Sequence, residues 1–304
     1  MKVNVEKLPK SAVQITVTIE KDKVKEAYEK VLEEAVKHTE IQGFRKGTAP
    51  KTMVEEKIGV SRLYGDVLND LLQTFYPQAL KEKAIAPVSN PKVELKEFDI
   101  EKDLIFVATV AVRPEVKIGD YKKSLKKAFE TKYKEAEKVL KEENKSKPKE
   151  EQVSEPHVHM SADDALKVLL DESKVEIADV LIEEETANAM QKLMGHIQAI
   201  GLTLDQYAKS QQKTEESIKK EYEKLSEDNL KLEFIMSELI KQEKIEVSDE
   251  EVEEMVNAVG DENTKKQMQA DPMQKFYIRS ILQKNKLVSK LIEIAEGEHH
   301  HEHK

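Results

Sequence analysis

Residues 13–36 have the sequence VQITVTIEKDKVKEAYEKVLEEAV, and this stretch decides the fold class. Apolar and polar residues alternate as far as Ile19, which predicts a half-buried strand. From Val24 onward the apolar residues recur three and four positions apart, which predicts an amphipathic helix over about Asp22–Thr39. A strand followed at once by a helix predicts a domain that contains both kinds of element.

Further strands are predicted on both sides of this stretch. Val3 and Val5 indicate a short strand before it, whereas Val93–Phe98 and Leu104–Val112 indicate a strand pair well after it. We therefore predict an α+β N-terminal domain over residues 1–115, with its strands near the two ends and helices between them.

The middle of this domain is predicted to be helical. Pro50 suits the first position of a helix over Pro50–Ile58. Ser61 suits the N-cap of a longer helix, and we expect Pro77 to kink or divide that helix.

Beyond residue 115 the pattern changes to helices alone. Residues 116–160 are rich in Lys and Glu with sparse apolar spacing, so we predict an exposed, charged helical arm with a flexible stretch around Ser146–Met160. A capping sequence at Ser161–Asp164 begins the third region, an extended all-α domain over residues 161–304 with a His-rich tail. Helical periodicity there covers Val180–Ile200, Leu204–Ser210, Thr214–Glu243, Ser248–Val259 and Asp271–Ala295.

Charge is distributed unevenly along the 304 residues. Residues 1–115 carry 19 basic and 19 acidic residues, residues 116–149 carry 12 and 6, and residues 150–304 carry 19 and 35. The last segment, at −16, repels nucleic acid, so any contact with RNA has to come from a local basic element.

Composition and motifs exclude several classes of protein. The chain has no Cys, hence no disulfide or thiolate nucleophile. It has neither an apolar signal segment nor an apolar run of membrane-spanning length, and we expect a soluble cytoplasmic protein without a membrane partner. It has no Gly-rich phosphate loop, no HExxH and no GxSxG, so we predict no catalytic residue, no cofactor and no metal site.

Histidines are concentrated at the C-terminus. Such dense imidazoles can bind Ni(II), Cu(II) or Zn(II) opportunistically, but a disordered tail is the simpler interpretation. The cluster comprises His299, His300, His301 and His303.

The clearest functional signal is the segment GFRKGTAP at residues 43–50, between two predicted helices. Gly43 and Gly47 permit a tight protruding loop. At its tip, Phe44 beside Arg45 and Lys46 can fill an apolar pocket on a partner while the cations pair with carboxylates or phosphates. The alternative is a plain connector with Phe44 folded back into the domain.

This loop, which follows a strand–helix unit, resembles the ribosome-docking signature of the bacterial trigger factor family, although Thr48 stands where the family usually has Lys. Residues 85–94 and 112–121 resemble the end of the family's N-terminal domain. Residues 180–185, 201–207 and 240–251 resemble its C-terminal helical domain, although Ala178-Asp179 replaces the usual Pro-Glu.

The resemblance implies an ATP-independent chaperone that docks at the ribosomal tunnel exit and shields nascent or unfolded polypeptides, with export as a further role. It implies contacts with a large-subunit protein and nearby RNA; weak self-association is a further expectation. The implied ribosome-binding residues are Gly43, Phe44, Arg45, Lys46, Gly47 and Pro50.

The family usually carries an FKBP-type prolyl isomerase domain between these two regions. Residues 122–160 contain only two aromatics, Phe129 and Tyr133, and cannot build the aromatic-lined pocket that such an enzyme needs. We therefore predict a variant without that domain and without isomerase activity.

Methionines suggest where clients bind. Seven of the nine lie at or beyond residue 160, and their unbranched, polarizable side chains suit loosely specified partners. The predicted client-binding residues are Met190, Met194, Met236 and Met255, with ordinary helix core as the alternative for each.

Two other functions stay open at this point. One is a free holdase of the SurA type without ribosome docking, against which the loop at 43–50 argues. The other is a helical scaffold without a chaperone role.

Overall fold

The computed structural model describes residues 1–145, 153–258 and 262–297. The strands are β1 (Lys2–Leu8), β2 (Ala12–Ile19), β3 (Lys92–Glu97), β4 (Leu104–Ala111), β5 (Val116–Ile118) and β6 (Ser173–Val175). The helices are α1 (Lys21–His38), α2 (Lys51–Ile58), α3 (Val60–Glu82), α4 (Tyr121–Asn144), α5 (Ala162–Glu172), α6 (Asp179–Ala199), α7 (Leu204–Ser210), α8 (Glu215–Gln242), α9 (Asp249–Asn257), α10 (Glu262–Ala270) and α11 (Pro272–Glu296). The predicted fold class is confirmed, since a four-stranded sheet lies in the N-terminal part and the described remainder is helical apart from two three-residue strands.

Contacts divide the chain into two compact units, each made of two segments. Residues 1–114 and 177–226 form the first unit, and residues 115–176 with those from 227 onward form the second. The first division lies next to the predicted boundary at 115. The predicted helical domain, by contrast, contributes to both units, because α6 and α7 pack within the first.

An antiparallel sheet in the order β1-β2-β4-β3 lies at the centre of the first unit. In its two central strands, Ile15 is opposite Ala108 and Val17 is opposite Phe106. The alternating residues of β2 are buried, as their period of two predicts. The pairing of β2 with β4 places strands from the two ends of the domain side by side.

Helices α1 and α3 bury their apolar faces in the same core as the sheet. Val24 and Leu32 on α1, and Leu63, Val67 and Leu71 on α3, all belong to this cluster. Each fully buried aliphatic side chain contributes about 1.5–3 kcal/mol to folding, so these stripes hold the helices in place.

Helix α3 differs from its prediction in where it begins and in whether it continues through Pro77. It begins at Val60 with Gly59 as N-cap, not at Ser61, and it continues through Pro77 as a single helix. The division predicted at Pro77 is therefore wrong. A proline forfeits one intrahelical hydrogen bond, and the apolar contacts on either side of it, including the fully buried Ala79, stabilise the helix despite that loss.

The C-terminal part of the first unit has a cluster of its own. Four buried residues from α6, α7 and α8 form it: Leu193, Ile197, Ala208 and Ile218. Helix α6 also contacts β4, and Lys92 Nζ lies 2.8 Å from Glu183 Oε2. These contacts explain why residues 177–226 belong to the first unit.

In the second unit, α4 is not the exposed arm that its composition predicts. Tyr121, Leu125 and Phe129 recur four positions apart and are at most 7% exposed, and α4 packs against α5 and α11. Sparse apolar residues are enough for one buried stripe when they keep helical spacing, while the charged residues occupy the other faces. Of the predicted flexible stretch, residues 146–152 lie outside the described residues, and 153–160 have neither helix nor strand.

Two predicted helix starts in this unit are confirmed. The Ser161 hydroxyl accepts a hydrogen bond from the Asp164 N–H at 3.1 Å. Ser248 and Glu251 form the full capping box that the sequence predicts for α9.

Glu243, just after α8, joins three parts of the second unit. Its carboxylate accepts from the Tyr121 hydroxyl at 2.6 Å and pairs with Lys122 at 2.8 Å and Lys290 at 2.7 Å. The side chain is only 17% exposed. The hydrogen bonds from Lys122, Lys290 and Tyr121 lower the pKa of Glu243 to about 2, so this carboxylate is charged in the folded protein and links the start of α4 to α11.

Candidate functional site

The loop between α1 and α2 is attached firmly at its base. Lys51 Nζ, at the start of α2, lies 2.6 Å from Glu29 Oε2 and 3.0 Å from Glu33 Oε1 on α1. Hydrogen bonds to these two carboxylates raise the pKa of Lys51. Near the end of α2, Lys57 donates to the carbonyl oxygen of Glu40. Both ends of the loop are therefore held by α2.

Two consecutive turns shape the loop. The Phe44 N–H donates to the Ile41 carbonyl oxygen, and the Thr48 N–H donates to the Arg45 carbonyl oxygen, each at 3.0 Å. The third residue of each turn is a glycine in the left-handed region, where type II turns require one. These residues are Gly43, with φ +90°, and Gly47, with φ +85°.

The predicted docking residues lie at the tip of this loop. The Phe44 side chain is 42% exposed, and Arg45 and Lys46 are exposed as well. Within the described ranges, no carboxylate lies within ion-pairing distance of either cation. Behind the tip, Ala49 is 6% exposed, and Pro50 is the N-cap of α2 and not its first helical residue.

The tip thus offers an exposed aromatic ring and two cations, which have no ion-pair partner among the described residues, on a backbone whose turns are already formed. An aromatic anchor in a partner's pocket, with charges at its edge, is the usual arrangement of a small, strong contact site. The side chains at the tip, one aromatic ring and two cations, are of the kinds that bind a partner.

The four methionines predicted to bind clients have different environments. Met190 and Met194 are half-buried against the α6–α8 cluster, and Met236 is buried at 8% exposure. Met255 on α9 is 48% exposed. Only Met255 among these four presents a largely open side chain, because helical spacing turns the others toward their own cores.

A larger apolar surface lies on the first turns of α11. Met273 is 73% exposed, Phe276 is 67% exposed and Tyr277 is 63% exposed. Because positions three and four apart share a helix face, these residues form one stripe, called here the α11 stripe. On another face of the helix, Ile278 is buried against α9.

The start of α11 is well defined by its sequence. Asp271 is the N-cap and accepts a hydrogen bond from the Met273 N–H at 2.9 Å, with Pro272 at the first helical position. The stripe is therefore presented on a formed helix.

Sequence reasoning missed Phe276 and Tyr277 as site residues. The available signal was an adjacent aromatic pair in a chain that has only 15 aromatic residues, next to a methionine at helical spacing. Spacing alone does not say which face of a helix is covered, so the exposure of the pair required the tertiary structure.

Other kinds of site have no support within the part of the chain that the structure describes. No three His, Cys, Asp or Glu side chains there lie together as metal ligands. No helix among those residues is long and apolar enough to cross a membrane. The terminal His299–His303 cluster lies outside the described residues.

Two family models match the sequence. The model of the bacterial trigger factor protein matches residues 1–147, and the model of the trigger factor C-terminus matches residues 138–293. The two matches overlap, so no unmatched stretch separates them.

Curated relatives match over only part of their length. The trigger factor of Brevibacillus brevis is 41% identical over 122 residues, which is 40% of this chain and 28% of that protein. The trigger factor of Clostridium tetani is 38% identical over 144 residues, which is 47% of this chain and 33% of that protein. The alignments therefore span a third or less of these relatives.

A solved structure agrees over nearly the whole chain. It comes from work described as "Promiscuous Substrate Recognition in Folding and Assembly Activities of the Trigger Factor Chaperone", and it superposes with a TM-score of 0.64 at 16% identity, covering 96% of this chain and 99% of that one. At this identity the likeness shows a shared fold. Since the C-terminal model alone matches 156 of the 304 residues, the chain belongs to the trigger factor family.

Proposed function

We propose that this protein is a cytoplasmic, ATP-independent chaperone that docks at the ribosomal tunnel exit through the loop at 43–50 and shields nascent or unfolded polypeptides. The observation that carries the proposal is the exposed Phe44 beside two cations that have no ion-pair partner in the part of the chain that the structure describes. Membership of the trigger factor family supports the same conclusion.

Docking through this loop combines two physical terms. Burial of the Phe44 ring removes apolar area from water, which is the main favourable contribution. Arg45 and Lys46 add charge-assisted hydrogen bonds to carboxylates of a ribosomal protein or to phosphates of nearby RNA. The preformed turns lower the entropy cost of ordering the loop on its partner.

Client binding in this proposal uses the α11 stripe together with Met255. Three large side chains that stay open to solvent on one helix face offer an apolar contact of loose specificity. The −16 charge of residues 150–304 limits self-association and favours basic, unfolded clients. Each contact is weak, and several along one client chain add up to useful affinity.

The proposal includes no isomerase activity. The two family matches meet without an intervening stretch, and residues 122–160 have too few aromatics for a proline-binding pocket. A protease-coupled assay on a proline peptide is expected to give the uncatalysed rate, and a rate well above it would overturn this part.

Co-sedimentation with ribosomes tests the docking site. We expect the wild-type chain to pellet with ribosomes and the triple variant Phe44→Ala, Arg45→Ala, Lys46→Ala to lose at least tenfold in affinity. A matched control, Val88→Ala with Lys81→Ala and Lys83→Ala, removes one exposed apolar residue and two cations elsewhere in the first unit and should bind as the wild type does. Unchanged binding of the triple variant would show that the site is assigned wrongly.

Suppression of aggregation of an unfolded model protein tests the client surface. The variant Met273→Ser, Phe276→Ser, Tyr277→Ser is expected to need several times more chaperone for the same protection. Its control, Leu225→Ser with Val139→Ser, changes two exposed apolar side chains outside the α11 stripe and should protect normally. Equal protection by both variants would exclude the α11 stripe.

The two assays also separate the alternatives. A chain that prevents aggregation but never pellets with ribosomes is a free holdase of the SurA type. A chain that does neither is a helical scaffold.

A further inference from the structure

Lysines form a row along one face of α4. Lys123, Lys127, Lys134 and Lys138 are exposed, and they are four, seven and four positions apart. At 3.6 residues per turn these intervals keep all four side chains on one side of the helix. The opposite side carries the buried stripe that packs against α5 and α11. With a rise of 1.5 Å per residue, this α4 lysine row is about 22 Å long.

The charges of the α4 lysine row are not neutralised within the described ranges. Lys122 and Lys132, on other sides of the helix, pair with Glu243 at 2.8 Å and with Asp164 at 2.7 Å. No described carboxylate, by contrast, lies within ion-pairing distance of any member of the row. Glu130 is exposed between the two halves of the row, so the four lysines and this carboxylate together carry +3.

The cations of the row repel one another. Lys123 with Lys127, and Lys134 with Lys138, are like charges at i,i+4, a spacing that destabilises a helix. Residues 116–149 carry a net +6 in a chain whose total is −10. The row is therefore a local basic surface on an acidic protein, and an anionic partner along it would relieve the repulsion.

The surroundings of the row indicate the kind of anion. Protein contact sites usually centre on an aromatic or apolar anchor, and single-stranded nucleic acids bind where bases stack on aromatic rings. On α4, Tyr121 and Phe129 are buried and Tyr133 is half-buried. The exposed Val139 lies about 100° round the helix from Lys138. The row thus suits a duplex that offers only phosphates, which Lys binds as a point charge.

The sequence of α4 favours RNA over DNA as that duplex. The helix has neither Arg nor Gln, and Asn144 is its last residue, so it lacks the side chains that read base edges in the major groove of DNA. Double-stranded RNA is bound mostly through its phosphates and shape, because side chains cannot read its deep, narrow major groove.

We infer that the α4 lysine row is a docking surface for the phosphate backbone of double-stranded RNA. The row belongs to the second unit, and the inference does not depend on ribosome docking through the loop at 43–50. Contacts to phosphates carry no sequence information, so binding depends on charge and duplex shape.

Fluorescence anisotropy of a labelled RNA duplex at about 50 mM salt tests the row in the full chain. The variant Lys123→Gln, Lys127→Gln, Lys134→Gln, Lys138→Gln should bind at least about tenfold more weakly, since four phosphate contacts are lost. Gln has nearly the helix propensity of Lys, so α4 is retained. The matched control removes four exposed lysines outside α4 and should bind as the wild type does: Lys174→Gln, Lys219→Gln, Lys224→Gln, Lys241→Gln.

Salt gives a second measurement of the same surface. Four neutralised phosphates predict a slope of about −3.6 for the logarithm of affinity against the logarithm of salt concentration. The control should keep this slope, and the row variant should lose most of it. Equal affinities of the two variants, or no duplex binding by the wild type at low salt, would overturn the inference.

Competition identifies the occupant. Polyglutamate at the same charge concentration should compete much less well than unlabelled RNA duplex. Its extended chain has about one charge per 3.5 Å, against about one per 1.7 Å of a duplex. Equal competition by polyglutamate would assign the row to acidic proteins, and tighter binding of a DNA duplex would assign it to DNA; either result would contradict the RNA assignment.

The loop variant separates this surface from ribosome docking. Phe44→Ala, Arg45→Ala, Lys46→Ala leaves α4 unchanged and should bind the RNA duplex as the wild type does. Loss of duplex binding in that variant would place the duplex on the loop and remove the row as its site. A wild type that binds the duplex but never pellets with ribosomes would remove the docking proposal alone.

Discussion

The loop at 43–50 and the α11 stripe are both exposed apolar surfaces, but they are produced in different ways. The loop is shaped by its own backbone, since two local turns and two glycines with positive φ determine its course. The stripe is exposed because other faces of α11 are occupied by α4, α5 and α9. A short, specific contact can thus be encoded locally, whereas a broad, adaptable one depends on how a helix is packed.

This comparison predicts that a change in the packing of the second unit affects client protection and leaves ribosome docking intact. The largest expected effect comes from Glu243→Gln, which removes a charge that holds Tyr121, Lys122 and Lys290 together. Loss of these charge-assisted contacts should cost about 2 kcal/mol in the free energy of unfolding. Urea unfolding measures that cost, and co-sedimentation should stay at the wild-type level.

The dependence of stability on pH tests in which charge state Glu243 stabilises the fold. The pKa of Glu243 falls from the ordinary value of 4.5 to about 2 on folding. Its contribution is therefore complete above about pH 4.5 and is lost as the pH falls toward 2. Between about pH 4.5 and pH 2, the free energy of unfolding of Glu243→Gln should therefore fall less than that of the wild type, because the variant lacks this carboxylate. Glu227→Gln, which breaks only an i,i+4 pair with Lys231, should lose as much stability as the wild type. If the free energy of unfolding fell equally with pH in the wild type and both variants, the Glu243 carboxylate would not be the stabilising group.

A smaller effect is expected from a change in the backbone of the loop. Gly43→Ala places a side chain in open space, since nothing lies within 4 Å of its Cβ, but the left-handed conformation then costs about 1–2 kcal/mol. Ribosome affinity should fall about fivefold to thirtyfold while aggregation suppression stays unchanged. Gly65→Ala on α3, where φ is not positive and the Cβ is also in open space, should leave docking unaltered. Equal affinities of the two variants would mean that the turn geometry is not required.

The smallest expected effect is that of salt. Two engaged cations predict that a doubling of the salt concentration weakens ribosome binding by about threefold. Protection through the α11 stripe is apolar, so with a model client that has no net positive charge it should not weaken under the same change. Co-sedimentation and aggregation assays at 0.1 and 0.2 M salt measure both. If salt weakened client protection as much as it weakens ribosome binding, the loop and the α11 stripe would not differ in the way proposed.

Much of the fold could be predicted because its signals are local. The alternation in β2, the stripe of α1 and the caps at Ser161 and Ser248 each depend on residues a few positions apart. The glycine pair at 43 and 47 belongs to the same class, since the turns it permits involve only the loop itself. The role of Phe44 in docking stays a prediction.

The errors share a different cause. Composition suggested an exposed arm at 116–160, yet Leu125 and Phe129 are buried because α5 and α11 supply a surface for their stripe. Pro77 suggested a break, yet α3 continues because core contacts compensate for one lost hydrogen bond. In both cases a partner distant in sequence outweighed the local preference.

By itself, the sequence determined most of the strands and helices, the caps at Ser161 and Ser248 and the loop that carries an aromatic residue between two glycines, because periodicity, capping and φ preference act over a few residues. Only the tertiary structure decided which apolar faces are covered, which leaves Met273, Phe276 and Tyr277 open and buries Met236. It also brought His159 beside Glu296, more than a hundred residues later. Burial and proximity depend on what packs against a residue, and that information is spread over the whole chain.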